Sequence, residues 1–274
     1  MQIEIIAPNK VRGTVVLPSS KSISNRALVI NALAGNEKLP ENVSDCDDTK
    51  VMIKWLGNRP DTVDIGPAGT AMRFSSALLA VTEGTHVITG SERMKNRPIG
   101  ILVDALRTLG AQVEYVEKEG YPPLKITGNP DLEGGELSLP GNVSSQYISA
   151  LLMIGPALKK GLKLTLTDII VSRPYINLTL RLINDFGGDA RWLDDSTIIV
   201  ERQKYVTRDY FVESDWSGAS YWYEIVALSD NADIYLPGLF KKSYQGDSKV
   251  AEIFEQLGVK TEFVGDANDD MSRV

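Results

Sequence analysis

One plan recurs four times along the chain, and this repetition limits the possible folds more than any other feature. Each copy opens with small polar residues and runs into an apolar, helix-like stretch. In most copies a turn and a short β-rich run follow, then a polar or basic turn, a second amphipathic stretch ending at Gly, and another strand-like run. The copies open with SSKSISNRALVINALAG, AGTAMRFSSALLAVTEG, NVSSQYISALLMIGPALKKG and SDWSGASYWYEIVALSDN, and their second helices end at Gly57, Gly110, Gly187 and Gly258. Three of those second helices carry matching apolar stripes: Leu102, Leu106 and Leu109; Leu178, Leu182 and Phe186; Val250, Phe254 and Leu257. Such spacing puts each trio on one helix face, with the glycine as a C-cap. Alternating runs such as Ala111-Gln112-Val113-Glu114-Tyr115 then read as strands. First helices such as Ala150-Leu151-Leu152-Met153-Ile154 are apolar nearly all round, which predicts burial. A unit of this kind cannot cover its own apolar face. The expected fold is therefore α/β (α+β), with similar units packed around buried helices, helices inside and sheets outside.

Composition removes several function classes. The 274 residues carry 29 Lys plus Arg against 36 Asp plus Glu, a net charge of −7, so no nucleic-acid partner is expected. One cysteine, Cys46, permits no internal disulfide, and one cysteine with one histidine, His86, cannot build a His/Cys metal site. A Ser-His-Asp triad would have to use His86, which lies in the strand-like run Thr85–Thr89 and reads as a strand-surface or packing residue. Cys46 sits among Asp45, Asp47 and Asp48, whose charges disfavour a thiolate, so it reads as structural. The start, MQIEIIAPNK, lacks the basic-then-apolar pattern of a signal peptide, and no apolar run approaches the roughly 18–20 residues of a membrane span. A cytoplasmic protein without a membrane partner is expected. The tail GDANDDMSRV reads as a solvated acidic segment without Ca²⁺-loop spacing.

Chemistry-bearing residues gather at the predicted helix starts, where free N–H groups and the positive dipole end favour anions. Lys21 and Ser22 open the first helix, and Arg26, four residues after Ser22, shares its face. The Gly66–Arg73 segment, with Gly69 and Thr70, lets a ligand approach the backbone, although it matches neither a Walker A loop nor a dinucleotide fingerprint. Ser144, Ser145 and Gln146 offer more hydrogen-bonding groups than one N-cap requires. Arg97-Pro98 and Arg173-Pro174 occupy equivalent places as helix entries, the former beside Arg93 and Lys95, the latter between Ser172 and Tyr175. Taken singly, each of these segments is equally an ordinary capped helix, a small-residue turn or a basic surface turn.

Taken together they are specific. Leu17–Ala27 (LPSSKSISNRA), the AGTAMR segment, Arg97-Pro98-Ile99-Gly100, Tyr121-Pro122-Pro123-Leu124, Val143–Tyr147, Ser172–Ile176 and Tyr244-Gln245-Gly246-Asp247 occur in the order seen in the 5-enolpyruvylshikimate-3-phosphate synthase family, which the chain resembles over nearly its whole length. The resemblance implies an enolpyruvyl transferase-like inverse α/β barrel or prism of two lobes, each with three pseudo-repeat βαβαββ units, closing over the substrates. It implies transfer of the enolpyruvyl group of phosphoenolpyruvate to the 5-hydroxyl of shikimate 3-phosphate with release of phosphate, in the shikimate pathway to chorismate, without a metal or other cofactor. By that resemblance Lys21, Gly69, Thr70 and Arg97 face phosphoenolpyruvate. Lys21, Ser22, Arg26, Ser144, Ser145, Gln146, Ser172 and Tyr175 hold shikimate 3-phosphate, and Lys21 also stabilises charge during the reaction.

The chain departs from the family pattern in places. Pro67 stands where the family commonly has Asn, and Phe74 follows Arg73 where Pro is common. Four repeats are present where the family has six, and the family's acidic proton-transfer residues find no counterpart. The expectation is a complete lobe over 18–213 and a partial one from 1–17 and 214–274, C-terminally truncated, binding substrate without efficient turnover; the full-length form is expected to be monomeric. Two rivals differ in chemistry. A UDP-N-acetylglucosamine enolpyruvyl transferase would place a Cys shortly before the Arg-Pro pair, and Ser91–Asn96 contains none. A phosphometabolite-binding fragment without activity would bind the same anions and turn nothing over.

Overall fold

The computed structural model describes residues 10–264, so the tail segment GDANDDMSRV and most of the MQIEIIAPNK start lie outside the described residues. The chain divides into two units, one of Lys21–Val212 and one of residues 1–20 with Glu213–Val274.

The chain enters through β1 (Val11–Thr14) of the smaller unit and then builds the larger one. There follow α1 (Lys21–Leu33), α2 (Asp47–Asn58), β2 (Thr62–Asp64), α3 (Gly69–Ala80), β3 (Gly84–Thr89), a single helical turn α4 (Glu92–Lys95), α5 (Gly100–Thr108), β4 (Gln112–Tyr115) and β5 (Leu124–Gly128). The third copy supplies β6 (Gly135–Pro140), α6 (Ser145–Ile154), β7 (Leu162–Thr167), α7 (Arg173–Asp185), β8 (Ala190–Trp192) and β9 (Thr197–Val200). Back in the smaller unit come α8 (Trp216–Ala227), β10 (Ala232–Tyr235) and α9 (Val250–Glu255).

In the larger unit the first helices of the three copies, α1, α3 and α6, pack on one another. Every residue of α3 is buried, as are Ile23–Asn31 of α1 and Tyr147–Ile154 of α6. A helix with no solvated face needs mostly apolar or small residues, which these sequences provide apart from buried polar residues such as Arg26 and Arg73. Two open four-stranded sheets lie outside them, ordered β2-β3-β5-β4 and β6-β7-β9-β8. The two have the same plan: a parallel first pair, then antiparallel neighbours. Their alternation points Leu124 and Ile126 of β5, and Leu162, Leu164 and Leu166 of β7, inward, while Lys125 is exposed and Lys163 half-buried between them. The first copy forms no such sheet; its counterpart is an isolated bridge between Glu41 and Phe211.

The stripes behave as their spacing predicts in α5 and α7, where Leu102, Leu106, Leu109, Leu178, Leu182 and Phe186 are all buried. Gly110, Gly187 and Gly258 take positive φ just past their helices, the left-handed conformation glycine adopts without penalty. Gly57 is different. It lies inside α2, and the left-handed cap is Arg59 (φ 42°), whose N–H reaches the Trp55 carbonyl. In the fourth copy Val250 is buried, Phe254 half-buried and Leu257 exposed, because α9 stops at Glu255 and the stripe outruns the helix.

The smaller unit pairs β1 with β10 in parallel and packs Leu17, Trp216, Tyr223, Leu236, Leu239 and Val250 into its own core. No described helix is long and apolar enough to cross a membrane.

Candidate active site

The site builds up from the start of α3 in the larger unit. Gly66 (φ 54°) turns the chain there, its N–H bonded to Asp64 Oδ1 at 2.9 Å. Gly69 then opens α3 with no side chain, and guanidinium groups fill the space. A Cβ on Gly69 would lie 2.3 Å from Arg97 Nη1 and 3.0 Å from Arg73 Nη1. Arg73 donates to the Gly69 carbonyl at 2.7 Å and lies over the Tyr147 ring at 5.2 Å. The Tyr147 hydroxyl donates to the Pro98 carbonyl at 2.7 Å, which ties the Arg97-Pro98 turn to α6. Arg97 is thus aimed by two of the three repeats.

The first and third repeats reach the same point. Asp48 of α2 accepts the Thr70 N–H at 3.0 Å through Oδ1 and holds Lys21 Nζ at 3.1 Å through Oδ2. Gln146 of α6 donates to Thr70 Oγ1 at 3.2 Å. Lys21, Gly69, Thr70, Arg97 and Gln146, expected from the sequence as site residues, are therefore neighbours of one helix start. Charge there is lopsided: among the described residues Arg97 makes no ion pair, and buried Arg73 has no partner for its Nε. Burial first, then the charges of Arg73 and Arg93, loosens the hold of Arg97 on its proton, opposed by Tyr147 and Asp48.

Arg26 lies deeper. It is 3% exposed, and its guanidinium spans the repeats: Nε to Thr179 Oγ1 of α7 at 2.8 Å, Nη2 to Ser149 Oγ of α6 at 2.9 Å, Nη1 to the Ser22 carbonyl at 2.9 Å. Phe74 and Tyr175 rings flank it at 5.3 and 5.9 Å. No carboxylate pairs with it among the described residues, and burial pushes its pKa down to about 10. Ser22 meets Arg26 through its backbone, and Tyr175 through its ring. Ser144 caps α6, its Oγ accepting the Gln146 N–H at 3.4 Å, and Ser145 opens that helix. Ser172 is the N-cap residue of α7 without a side-chain cap, and no described contact joins its side chain or that of Ser145 to the cationic cluster.

Several members of the cluster were not singled out in the sequence. In the sequence Asp48 stands only as one of the charges around Cys46 and Tyr147 only as the end of the Val143–Tyr147 motif, while nothing marks Ser149 or Thr179. His86 is half-buried on β3, its Nδ1 2.9 Å from the Pro60 carbonyl, and Cys46 is a free thiol at the start of α2. No three His, Cys, Asp or Glu side chains are grouped as metal ligands among the described residues.

The family model described as EPSP synthase (3-phosphoshikimate 1-carboxyvinyltransferase) matches residues 5–58 and 56–274. The chain belongs to the EPSP synthase family. A 3-phosphoshikimate 1-carboxyvinyltransferase of Bacteroides fragilis is 60% identical over 263 residues, which are 96% of this chain and 64% of that protein. One from Shewanella halifaxensis is 38% identical, covering 97% of this chain and 68% of its own length. The chain thus spans about two thirds of the length of these relatives. Two solved structures of EPSP synthase from Acinetobacter baumannii share the fold, with TM-scores of 0.75 and 0.78 at 23% and 22% identity; they cover 90% and 96% of this chain, and 60% and 64% of theirs is covered. The mixed α/β class expected from the repeats is the class observed, with open rather than closed sheets among the described residues. Pro67, where the family commonly has Asn, is exposed on the turn that leads into α3.

Proposed function

We propose that the protein is a 3-phosphoshikimate 1-carboxyvinyltransferase and that the larger unit of this chain is its anion-gathering part. In this reading the enolpyruvyl group of phosphoenolpyruvate passes to the 5-hydroxyl of shikimate 3-phosphate. A C–O bond forms at the alkene carbon, the C–O bond to phosphate breaks, and the hydroxyl proton leaves. The observation that carries the proposal is the crowding of Lys21, Arg73 and Arg97 around the start of α3 against one carboxylate, Asp48. Like charges are brought together at a cost, and a dianion that neutralises them recovers it. Lys21, Gly69, Thr70 and Arg97 take phosphoenolpyruvate. Lys21, Ser22, Arg26, Ser144, Ser145, Gln146, Ser172 and Tyr175 take shikimate 3-phosphate. The acid and base of the reaction are not assigned to residues of this chain.

Calorimetry with shikimate 3-phosphate, and phosphate release from phosphoenolpyruvate in its presence, test the proposal. Saturable binding of shikimate 3-phosphate that is weakened at least about tenfold in Arg26→Met or Lys21→Met is expected. Absence of binding by the folded chain would overturn the assignment. The phosphate-release arm separates a transferase from a binding module.

A further inference from the structure

We infer that Asp48 is the resident anion of this site: it neutralises Lys21 and sits on the first turn of α3 until a substrate phosphate or carboxylate takes the lysine from it. This rests on the anion-site reading above and adds to it a residue that competes with the ligand rather than binding it.

The two Asp48 oxygens do different things. Oδ1 accepts the Thr70 N–H at 3.0 Å, one of the N–H groups that an α-helix leaves unpaired at its start. A carboxylate there occupies the kind of position that helix N-termini offer to phosphates. Oδ2 holds Lys21 Nζ at 3.1 Å. The burial of the two ends is unequal, with the Asp48 side chain 12% exposed and that of Lys21 49% exposed. The interior end is anchored, and the exposed end belongs to a pair that solvent screens and weakens. An arriving dianion therefore meets a lysine that exchanges partners easily and a carboxylate that stays.

The surroundings point to a ligand independently of Asp48. Arg73 Nε is buried without a partner beside Gly69, and the Arg97 guanidinium, held where a Cβ of Gly69 would stand, has no carboxylate among the described residues. Without Asp48, Lys21, Arg73 and Arg97 would face one another with nothing negative between them. With it, the cationic cluster is partly neutralised, and each incoming anion must outbid a carboxylate. That threshold favours doubly charged ligands over monoanions. Asp48 is in this sense a positioning and selectivity residue.

Asp48→Asn separates the two roles. The amide oxygen still accepts the Thr70 N–H, while the charge on Lys21 is released. Titration of the intact chain with inorganic phosphate should give about fivefold tighter binding in D48N than in the unmodified chain, which is ~1 kcal/mol at 1.4 kcal/mol per decade. Lys21→Met should weaken binding, and the gain from D48N should vanish in the K21M background, since the competition runs through the lysine. Equal or weaker phosphate binding by a folded D48N, or a gain that persists without Lys21, overturns the inference. Absence of phosphate binding in both the unmodified chain and D48N overturns the anion site itself, a distinguishable failure. A readout that needs no variant is the Asp48 side-chain carboxyl ¹³C resonance, which should move on phosphate saturation as Lys21 leaves. An unmoved resonance at saturation sinks the exchange.

Discussion

Arg26→Met asks whether the buried arginine serves the fold or the ligand. Three contacts hold the guanidinium, to Thr179, Ser149 and Ser22, and hydrogen bonds to a charged group are worth about 1.5–3 kcal/mol each when a partner is left wanting. None of these acceptors is left wanting. The Ser149 and Thr179 hydroxyls lie 2.9 Å apart and bond each other, and Thr179 also donates to the Tyr175 carbonyl at 2.8 Å. Against the lost bonds stands the cost of burying an unpaired cation. Burial pulls its pKa down to about 10, a fall that corresponds to roughly 3 kcal/mol at 1.4 kcal/mol per decade. Methionine fills much of the same channel between Phe74 and Tyr175 and carries no charge. The two effects offset, and Arg26→Met is expected within about 1.5 kcal/mol of the unmodified chain in urea denaturation. Arg26→Ala, which leaves a hole, should lose about 2–5 kcal/mol. Shikimate 3-phosphate affinity should fall about ten- to hundredfold in both, the loss of one charge-assisted contact. If Arg26→Met costs more than about 3 kcal/mol while affinity holds, the arginine is a structural brace and the reasoning fails.

Gly69→Ala puts a methyl 2.3 Å from Arg97 Nη1, so the guanidinium must retreat by about 1 Å. Phosphoenolpyruvate affinity should drop at least tenfold while the melting temperature holds or rises, since alanine is the better helix former; unchanged affinity would remove Arg97 from the ligand. Glu213, buried in the smaller unit, has its carboxyl pKa raised by that burial, against hydrogen bonds from Ser243 Oγ at 2.6 Å and the Phe240 N–H at 3.2 Å. A carboxyl that binds its proton more tightly folded than unfolded contributes stability below the unfolded pKa and loses it as pH rises through the folded one. Glu213→Gln should therefore gain on the unmodified chain in denaturation midpoint between pH 4 and pH 7, and parallel pH profiles would contradict the burial effect.

The periodic parts of the fold were legible because period is a local property. The stripe Leu178, Leu182, Phe186 needs only its own helix to be read, and Gly110 and Gly187 mark helix ends by a conformation other residues avoid. Gly57 failed as a marker because Arg59 accepts the left-handed turn two residues later. The missing first-copy sheet was not legible either, since pairing is decided between distant segments and here reduces to Glu41 opposite Phe211. In the site, charged residues at helix starts stood out by type. What they touch did not. Asp48 gains its meaning from Lys21 and Thr70, each more than twenty residues away, and within the run Asp45-Cys46-Asp47-Asp48 nothing distinguishes it.

Repetition also accounts for the direction of the chemistry. The starts of α1, α3 and α6 meet at one point of the larger unit, where Asp48 joins Lys21 to Thr70 and Gln146 bonds Thr70. Positive dipole ends alone would give a weak, exposed attraction for anions. What raises it is that side chains from one copy complete the start of another: Asp48 and Gln146 at Thr70, Tyr147 at the Arg97 turn, Ser149 and Thr179 at Arg26. No copy holds a full set of partners by itself. A single repeat cut from this chain would thus lose its anion affinity even where its helices survived, and substitutions at the crossings between repeats should affect binding more than equal substitutions within one.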